Sequence, residues 1–247
     1  PVDEIIEIAV QSLGLNDLEP FEPSKKIVEY AIGTEKNKLA NLKLVDLINE
    51  VSTNSPAPGG GSVSALLGSL SASLCSMVAS LTFHKKDYID LRKEMSDLGV
   101  EAQLLKDRLS ALIDEDTDAF NEIIKSNKLP SGTDEDRSIK KLAIKNAYQL
   151  AIDTPYEIAT LCAKVLDLCL LLSRKGNPNS ISDIGVASES ALAGFKGASM
   201  NVLINLSSIE DKKIQKEMKE NLDNMSKTVD SSYELTNSKV YKVMNSQ

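Results

Sequence analysis

The chain has 247 residues, 42% apolar and 26% charged, which is enough for one large domain or for one domain plus an appendage. Its net charge of −8 argues against a nucleic-acid-binding surface, and a single histidine with no CxxC pair argues against a zinc site. With 4% aromatic residues and no tryptophan, the composition favours an all-α protein. We expect Cys75, Cys162 and Cys169 to be buried, reduced thiols of a cytoplasmic protein.

The first 38 residues differ from the rest of the chain. Val2–Leu13 has the pattern of a short amphipathic helix, and Lys26–Tyr30 has strand-like content after a proline-containing break. A polar linker, Gly33–Lys38, follows. We therefore predict a short N-terminal appendage.

Every apolar segment after residue 38 has the pattern of a helix, which predicts a bundle of long antiparallel helices. The predicted helices are Leu39–Val51, Ser62–Phe83, Tyr88–Lys125, Thr133–Leu172 with a kink at Pro155, Ser180–Leu206 and Glu210–Met244. Thr133 and Asp136 predict an imperfect capping box at the start of the fourth, because Asp replaces the usual Glu or Gln. The uncharged second helix is long enough to span a membrane. Because it contains seven serines and has a face of small residues, which lets neighbouring helices or a ligand approach its backbone closely, we expect a core helix and no membrane partner.

A loop rich in proline and glycine, Pro56–Ser62, separates the first two of these helices. Proline fixes φ and glycine allows positive φ, so the loop has a defined shape. It leads into a helix N-terminus, where backbone N–H groups can hold an anion or a carbonyl. A plain turn is the alternative. No lysine follows as in a Walker loop, and no strand precedes as in a dinucleotide fingerprint.

A carboxylate, Asp116, interrupts the apolar seam of the third predicted helix. The seam advances in steps of four and three through Leu91, Met95, Leu98, Ala102, Leu105, Leu109 and Leu112. The next step lands on Asp116, and the apolar residues resume with Ala119, Phe120 and Ile123. Burial, together with repulsion from Asp114, Glu115 and Asp118, should raise the pKa of Asp116. Asp116 is therefore a candidate general acid or base, with a purely structural hydrogen bond as the alternative. We expect Asp114 and Asp118 to be solvated.

Polar residues near the ends of two other helices form further candidates. Asn201 and Asn205 share one helix face and need partners, either in another helix or in a ligand. Asp183 follows a turn, where a capping role is favoured. Lys85 and Lys86 suit the C-terminal end of a helix dipole but equally suit an anionic substrate tail.

Five segments, in the same order along the chain, resemble the signature segments of formiminotetrahydrofolate cyclodeaminases. They are Thr53–Ala65, Met77–Thr82, Asp114–Phe120, Ser182–Ala187 and Gly197–Asn205. A sixth segment, within residues 21–30, resembles the tail of the formiminotransferase domain that precedes this domain in bifunctional members. We therefore divide the chain into a formiminotransferase-like tail with a linker, residues 1–38, and a helical cyclodeaminase domain, residues 39–247.

The resemblance implies an all-helical homodimer that binds a reduced folate, with or without a polyglutamate chain. Its reaction closes 5-formiminotetrahydrofolate to 5,10-methenyltetrahydrofolate and releases ammonia, a lyase step of histidine degradation and one-carbon metabolism. It implies no cofactor or metal beyond the folate substrate. A formiminotransferase domain is an expected partner in cis.

The family's catalytic aspartate falls on Asp116, which would donate a proton to the departing amine. The resemblance also implies a folate-binding set, which comprises Gly59, Gly60, Gly61, Ser62, Lys85, Lys86, Asp183, Asn201 and Asn205. The two lysines would meet the glutamate tail. Relatives have glycine at the position of His84, so we expect no catalytic role for that residue.

Two alternatives stay open. Relatives on the same scaffold are methenyltetrahydrofolate cyclohydrolases, which add water to a similar carbon, and the motifs do not separate the two activities. A non-catalytic helical interaction module is the second alternative, although such a module has no reason to keep Asp116 inside an apolar seam.

Overall fold

The computed structural model describes residues 8–17, 21, 26, 38–209 and 211–246. The chain divides into two compact units, Pro1–Ser55 and Pro56–Gln247. In the first unit, residues 8–12 are helical, within the predicted helix, and α1 spans Leu44–Val51 after a 3₁₀ turn at Leu39–Asn41. Residues 2–7 of the predicted helix and residues 27–30 of the strand-like segment lie outside the described residues.

The second unit is a bundle of long helices, as predicted. Its helices are α2 (Gly60–Phe83), α3 (Arg92–Asn127), α4 (Asp134–Lys175), α5 (Ile181–Leu206) and α6 (Lys212–Met244). Short connections, including 3₁₀ turns, join the helices, and the described residues contain no strand. The all-α prediction is therefore confirmed.

The predicted first residues of two helices were wrong. The segment Lys86–Leu91 is 3₁₀, with Tyr88 in a non-helical conformation, so α3 begins at Arg92 rather than at Tyr88. α1 begins at Leu44 rather than at Leu39. Periodicity detects a helical face but does not distinguish a 3₁₀ turn at its start.

The start of α4 follows the predicted capping box. The hydroxyl of Thr133 accepts the backbone N–H of Asp136, and the carboxylate of Asp136 accepts the backbone N–H of Thr133, both at 3.0 Å. The helix then continues through Pro155 to Lys175. The peptide N of Pro155 carries no hydrogen, so one carbonyl of α4 needs a partner from elsewhere.

Small residues of α2 face its neighbours. Ala65, Ala72 and Ala79 are fully buried. A Cβ on Gly68 would lie 2.7 Å from Cys162 Sγ of α4, so only glycine lets the two helices approach this closely. The predicted close approach along the small face is confirmed, and all three cysteines are buried and free of disulfides, as expected.

The large residues of α2 face outward instead. Leu70, Met77 and Leu81, which we call the α2 stripe, are 52%, 39% and 47% exposed. By length and composition alone, α2 is the one helix in the described part of the chain that could cross a membrane. Its small face is nevertheless packed against α3, α4 and α5, as expected for a core helix.

Polar side chains fix the register of α2 against α3. Ser69 Oγ lies 2.8 Å from Ser110 Oγ, and Gln103 Nε2 donates to Ser76 Oγ at 2.8 Å. Because the α2 numbers rise as the α3 numbers fall, the two helices are antiparallel. α5 is also antiparallel to α2, since Ser71 Oγ donates to the Ala187 carbonyl at 2.6 Å while Gly194 faces Ser64.

We expect Gly194→Ala to lower the free energy of unfolding by about 1–3 kcal/mol, because its Cβ would overpack the α2–α5 contact. That Cβ would lie 2.9 Å from the Ser64 carbonyl oxygen, a backbone atom that cannot rotate away. Gly99→Ala is the matched control, since its nearest neighbour would be the Ala79 Cβ at an ordinary 3.6 Å. Urea unfolding followed by circular dichroism measures both variants, and equal stabilities would contradict the packing described.

Candidate active site

Asp116 meets the first turn of α2. The Ser62 hydroxyl donates to Asp116 Oδ2 at 3.1 Å, and the Ser62 backbone N–H donates to the same carboxyl group. Ser62 itself is buried, while Asp116 is half-buried. The carboxyl group of α3 is therefore held by one residue of α2 through two donors.

The glycine loop makes room for this carboxyl group. Gly59 is the N-cap of α2, and a Cβ on Gly61 would lie 2.5 Å from Asp116 Cγ and closer still to Oδ1. Any other residue at position 61 would displace Asp116. The predicted anion-holding helix start thus holds a carboxyl group of the protein itself, where the helix dipole favours negative charge.

Thr117 extends the hydrogen bonds around Ser62. Its Oγ1 lies 3.2 Å from Ser62 Oγ. A hydroxyl has one proton to donate, so while Ser62 donates to Asp116, Thr117 donates to Ser62. Sequence reasoning missed Thr117 because consecutive residues of a helix point in different directions, and nothing in the heptad pattern singled it out.

Burial is the largest cause of the raised pKa of Asp116, and the two hydrogen bonds from Ser62 oppose it. The direction was predicted, but repulsion from neighbouring carboxylates is not among the causes. Glu115 is bound by Arg108 at 2.5 and 3.0 Å, and Asp118 is exposed as expected, whereas Asp114 is half-buried. A carboxyl group with a raised pKa can hold a proton and release it in a reaction.

Asn201 of α5 lies at the same end of α2. A Cβ on Gly60 would lie 3.4 Å from Asn201 Nδ2, and this amide donates to the Gly197 carbonyl at 2.8 Å. The structure thus brings the glycine loop, Asp116 and Asn201 together, as the predicted site requires.

Asn205 forms a hydrogen bond with the backbone of α4. Its Nδ2 donates to the Ala151 carbonyl at 2.7 Å. That carbonyl is four residues before Pro155 and cannot receive a bond from the proline nitrogen. Asn205 therefore satisfies the carbonyl that the proline leaves without a helical partner, which leaves the other atom of its amide, Oδ1, for further contacts.

The remaining predicted residues lie at the opposite end of the bundle. α2 has 24 residues, so Lys85 and Lys86 follow its far end, about 36 Å along the axis from Gly60. Lys85 Nζ donates to Asn177 Oδ1 at 2.9 Å in the α4–α5 connection. His84, the exposed C-cap of α2, lies at this end too.

Asp183 lies at that far end as well, in the first turn of α5. The N-cap of α5 is Ser180, and no side chain makes the capping hydrogen bond, so the capping role favoured for Asp183 was wrong. Within one chain the structure does not bring Lys85, Lys86 or Asp183 to Asp116, and their folate contacts stay a prediction.

We expect Asp116→Asn to raise stability at neutral pH but not at acid pH. The folded pKa of Asp116 lies above the unfolded value of about 3.9, so its contribution to stability is fully present below that pH. The contribution is lost as the pH rises through the folded pKa, because the ionised group must then be buried. Asparagine does not ionise, so the variant should gain about 1.4 kcal/mol over the parent for each unit of pKa difference.

Urea unfolding between pH 4 and pH 8 measures this gain. Asp118→Asn is the control, which removes an exposed carboxylate two residues along the same helix. A difference for Asp116→Asn that does not change with pH would mean that burial does not perturb the group.

Comparison with known proteins identifies the family. A profile described as formiminotransferase-cyclodeaminase matches residues 43–224, and one described as formiminotransferase domain matches residues 2–33. The crystal structure of formiminotetrahydrofolate cyclodeaminase from Thermotoga maritima superimposes with a TM-score of 0.74 at 27% identity, over 82% of this chain and 98% of that one.

Two relatives match this chain over different shares of their own length. A methenyltetrahydrofolate cyclohydrolase from Methylorubrum extorquens is 32% identical over 185 residues, which are 75% of this chain and 89% of that protein. The formimidoyltransferase-cyclodeaminase of Mus musculus is 34% identical over 83% of this chain, but the match spans only 38% of the mouse protein. Because the profile match from residue 43 to residue 224 covers well over half of its length, the chain belongs to the formiminotransferase-cyclodeaminase family.

Proposed function

We propose that this chain converts 5-formiminotetrahydrofolate to 5,10-methenyltetrahydrofolate and releases ammonia, with Asp116 as the group that transfers the proton. The observation that carries the proposal is the half-buried Asp116 carboxyl, whose pKa is raised by burial and which Ser62 holds at the start of α2. A non-catalytic helical module gains nothing from such a group, since a buried carboxylate costs stability at neutral pH.

The reaction transfers one proton from N10 of the folate to the leaving amino group. N10 of the folate attacks the carbon of the protonated formimino group, and the new C–N bond leaves a proton on N10. The Asp116 carboxylate accepts this proton and, as a carboxylic acid, donates it to the amino group on the same carbon. The C–N bond to that group breaks, ammonia leaves, and the positive charge stays on the methenyl bridge.

The hydroxyl chain from Thr117 through Ser62 suits both states of Asp116. It donates to the carboxylate, and it can accept a hydrogen bond once Asp116 is protonated, because each hydroxyl can turn. In this proposal Asn201 and the first turn of α2 hold the pterin and the tetrahedral intermediate, which is supported by the position of Asn201 beside Gly60.

Methenyltetrahydrofolate cyclohydrolase activity is the second candidate. It is favoured by the Methylorubrum extorquens relative, nearly all of which is matched by this chain. We prefer the cyclodeaminase because residues 2–33 match a formiminotransferase domain, whose product would be the cyclodeaminase substrate. A fused formiminotransferase domain, a polyglutamylated substrate, a role in histidine degradation and a cytoplasmic location belong to the same proposal.

We also propose a homodimer formed through the α2 stripe. Leu70, Met77 and Leu81 lie on one face of a helix that carries no charged residue, and burying this face would remove apolar surface from water. Each side chain buried in this way stabilises the dimer by roughly 1–2 kcal/mol at its partial exposure.

Asp116→Asn should lower kcat for ammonia release by about 10²- to 10⁴-fold, because the amide cannot relay the proton. The growth of methenyl absorbance from the formimino substrate, together with an ammonia assay, measures this loss, and Asp118→Asn is the control. Turnover close to that of the parent would remove Asp116 from the mechanism. If the parent instead only consumes methenyl substrate in water, the cyclohydrolase is the correct activity.

Leu70→Glu combined with Met77→Glu should convert a dimer into monomers, because two charges would enter the apolar contact. Size-exclusion chromatography with light scattering measures the mass, and Val186→Glu, on an exposed position of α5, is the control. A parent that is monomeric, or a dimer that tolerates both charges, would contradict the proposed interface.

A further inference from the structure

A cavity between the first half of α4 and the α5–α6 connection has no assigned role. Its volume is about 610 Å³, within the range of small-molecule sites, and it is larger than two other cavities lined by described residues of the bundle, of about 340 and 370 Å³. Leu142, Tyr148 and Ile209 supply apolar and aromatic walls, and Lys141 and Lys145 supply positive charge.

The two lysines are available to bind an anion. They lie one turn apart on α4, both are exposed, and neither has an ion-pair or hydrogen-bond partner within residues 38–209 and 211–246. Among the described residues of the lining, the one acidic side chain is that of Asp211, the N-cap of α6, whose Oδ1 accepts the backbone N–H groups of Lys213 and Ile214 at 2.9 and 3.3 Å.

The other two cavities do not combine an aromatic wall with lysines that are available to bind an anion. In the 340 Å³ cavity beside the end of α3, Lys125 Nζ is paired with Glu122 Oε1 at 2.6 Å. The 370 Å³ cavity between α2 and α3 has no charged residue in its lining. A ligand that joins an aromatic ring to carboxylates therefore fits the cavity of α4 best.

This cavity lies at the Asp116 end of the bundle. Asn201, which lies beside the start of α2, precedes the end of α5 at Leu206 by five residues, about 8 Å along the helix, and Ser208 of the lining follows two residues later. Asn205, between them, is bonded to Ala151, one turn from Tyr148 on α4. By contrast, Lys85 lies about 36 Å from Gly60 along α2, beyond the arm of a monoglutamyl folate bound at Asp116 in the same chain.

We propose that Lys141 and Lys145 bind the glutamate carboxylates of the folate, while Tyr148 and Leu142 contact its aminobenzoyl ring. The inference rests on the proposed function and assigns the tail of the same substrate. It gives Lys141 and Lys145 the role that the sequence suggested for Lys85 and Lys86.

The double variant Lys141→Gln/Lys145→Gln should lose the preference for a substrate that carries glutamate. We compare kcat/KM for 5-formiminotetrahydrofolate with that for 5-formiminotetrahydropteroate, which lacks the glutamate. The ratio of kcat/KM for the glutamate-bearing substrate to kcat/KM for the pteroate should fall at least tenfold, because KM for the glutamate-bearing substrate rises. Lys141→Arg/Lys145→Arg keeps both positive charges and should retain most of the parent ratio. The exposed Lys164→Gln/Lys196→Gln pair is the control, which should keep the parent ratio.

Binding of p-aminobenzoyl-glutamate, measured by saturation-transfer NMR, tests the site without any turnover. The parent should bind it, and the glutamine double variant and p-aminobenzoate should each give at least a tenfold weaker signal. Circular dichroism checks that the variants fold. A ratio and a binding signal that do not depend on Lys141 and Lys145 would overturn the inference, as would closure of this cavity by a second copy of the chain.

The two proposals fail in different ways. If the parent binds p-aminobenzoyl-glutamate through the lysines but neither releases ammonia nor consumes methenyl substrate, the proposed activity is wrong and the tail site stands. If turnover is present but the lysines do not matter for the tail, the activity stands and the tail site is wrong.

Discussion

The contact between Asp116 and the first turn of α2 constrains the rest of the bundle. A buried carboxyl group must be hydrogen-bonded, and here Ser62 supplies both a hydroxyl and a backbone N–H. The contact also requires glycine at position 61, because a Cβ would occupy the space of the carboxyl group. It places the start of α2, one face of α3 and the end of α5 around a single half-buried carboxyl group.

The small residues of α2 follow from the same requirement. For Asp116 to reach the helix start, α3 and α5 must approach α2 closely along its length, and alanine, serine and glycine allow this. Serine hydroxyls bond across the contact, as between Ser69 and Ser110, so the close packing does not leave them without partners. The larger apolar side chains are displaced to the outer face, where they form the exposed α2 stripe.

Much of this was predictable from the sequence because periodicity reports which residues share a helix face. The heptad seam located α3 and marked Asp116, and the Thr133 capping box located the start of α4. Periodicity does not report which helices meet, so it missed the bond from Asn205 to Ala151 and the cavity beside Lys141. The predicted helix Ser62–Phe83 already separated Lys85 from the glycine loop, but the family resemblance grouped both in one folate-binding set.

The pH dependence of kcat in Ser62→Ala tests the role of Asp116 most directly. The Ser62 hydroxyl lowers the pKa of Asp116 against the effect of burial, so its removal should raise that pKa. A hydrogen bond to a charged group is worth about 1.5–3 kcal/mol, and the reaction starts from the Asp116 carboxylate, so the acidic limb of the kcat profile for ammonia release should move up by about one pH unit or more. A profile that keeps the position of the parent's acidic limb would contradict Asp116 as the group that transfers the proton.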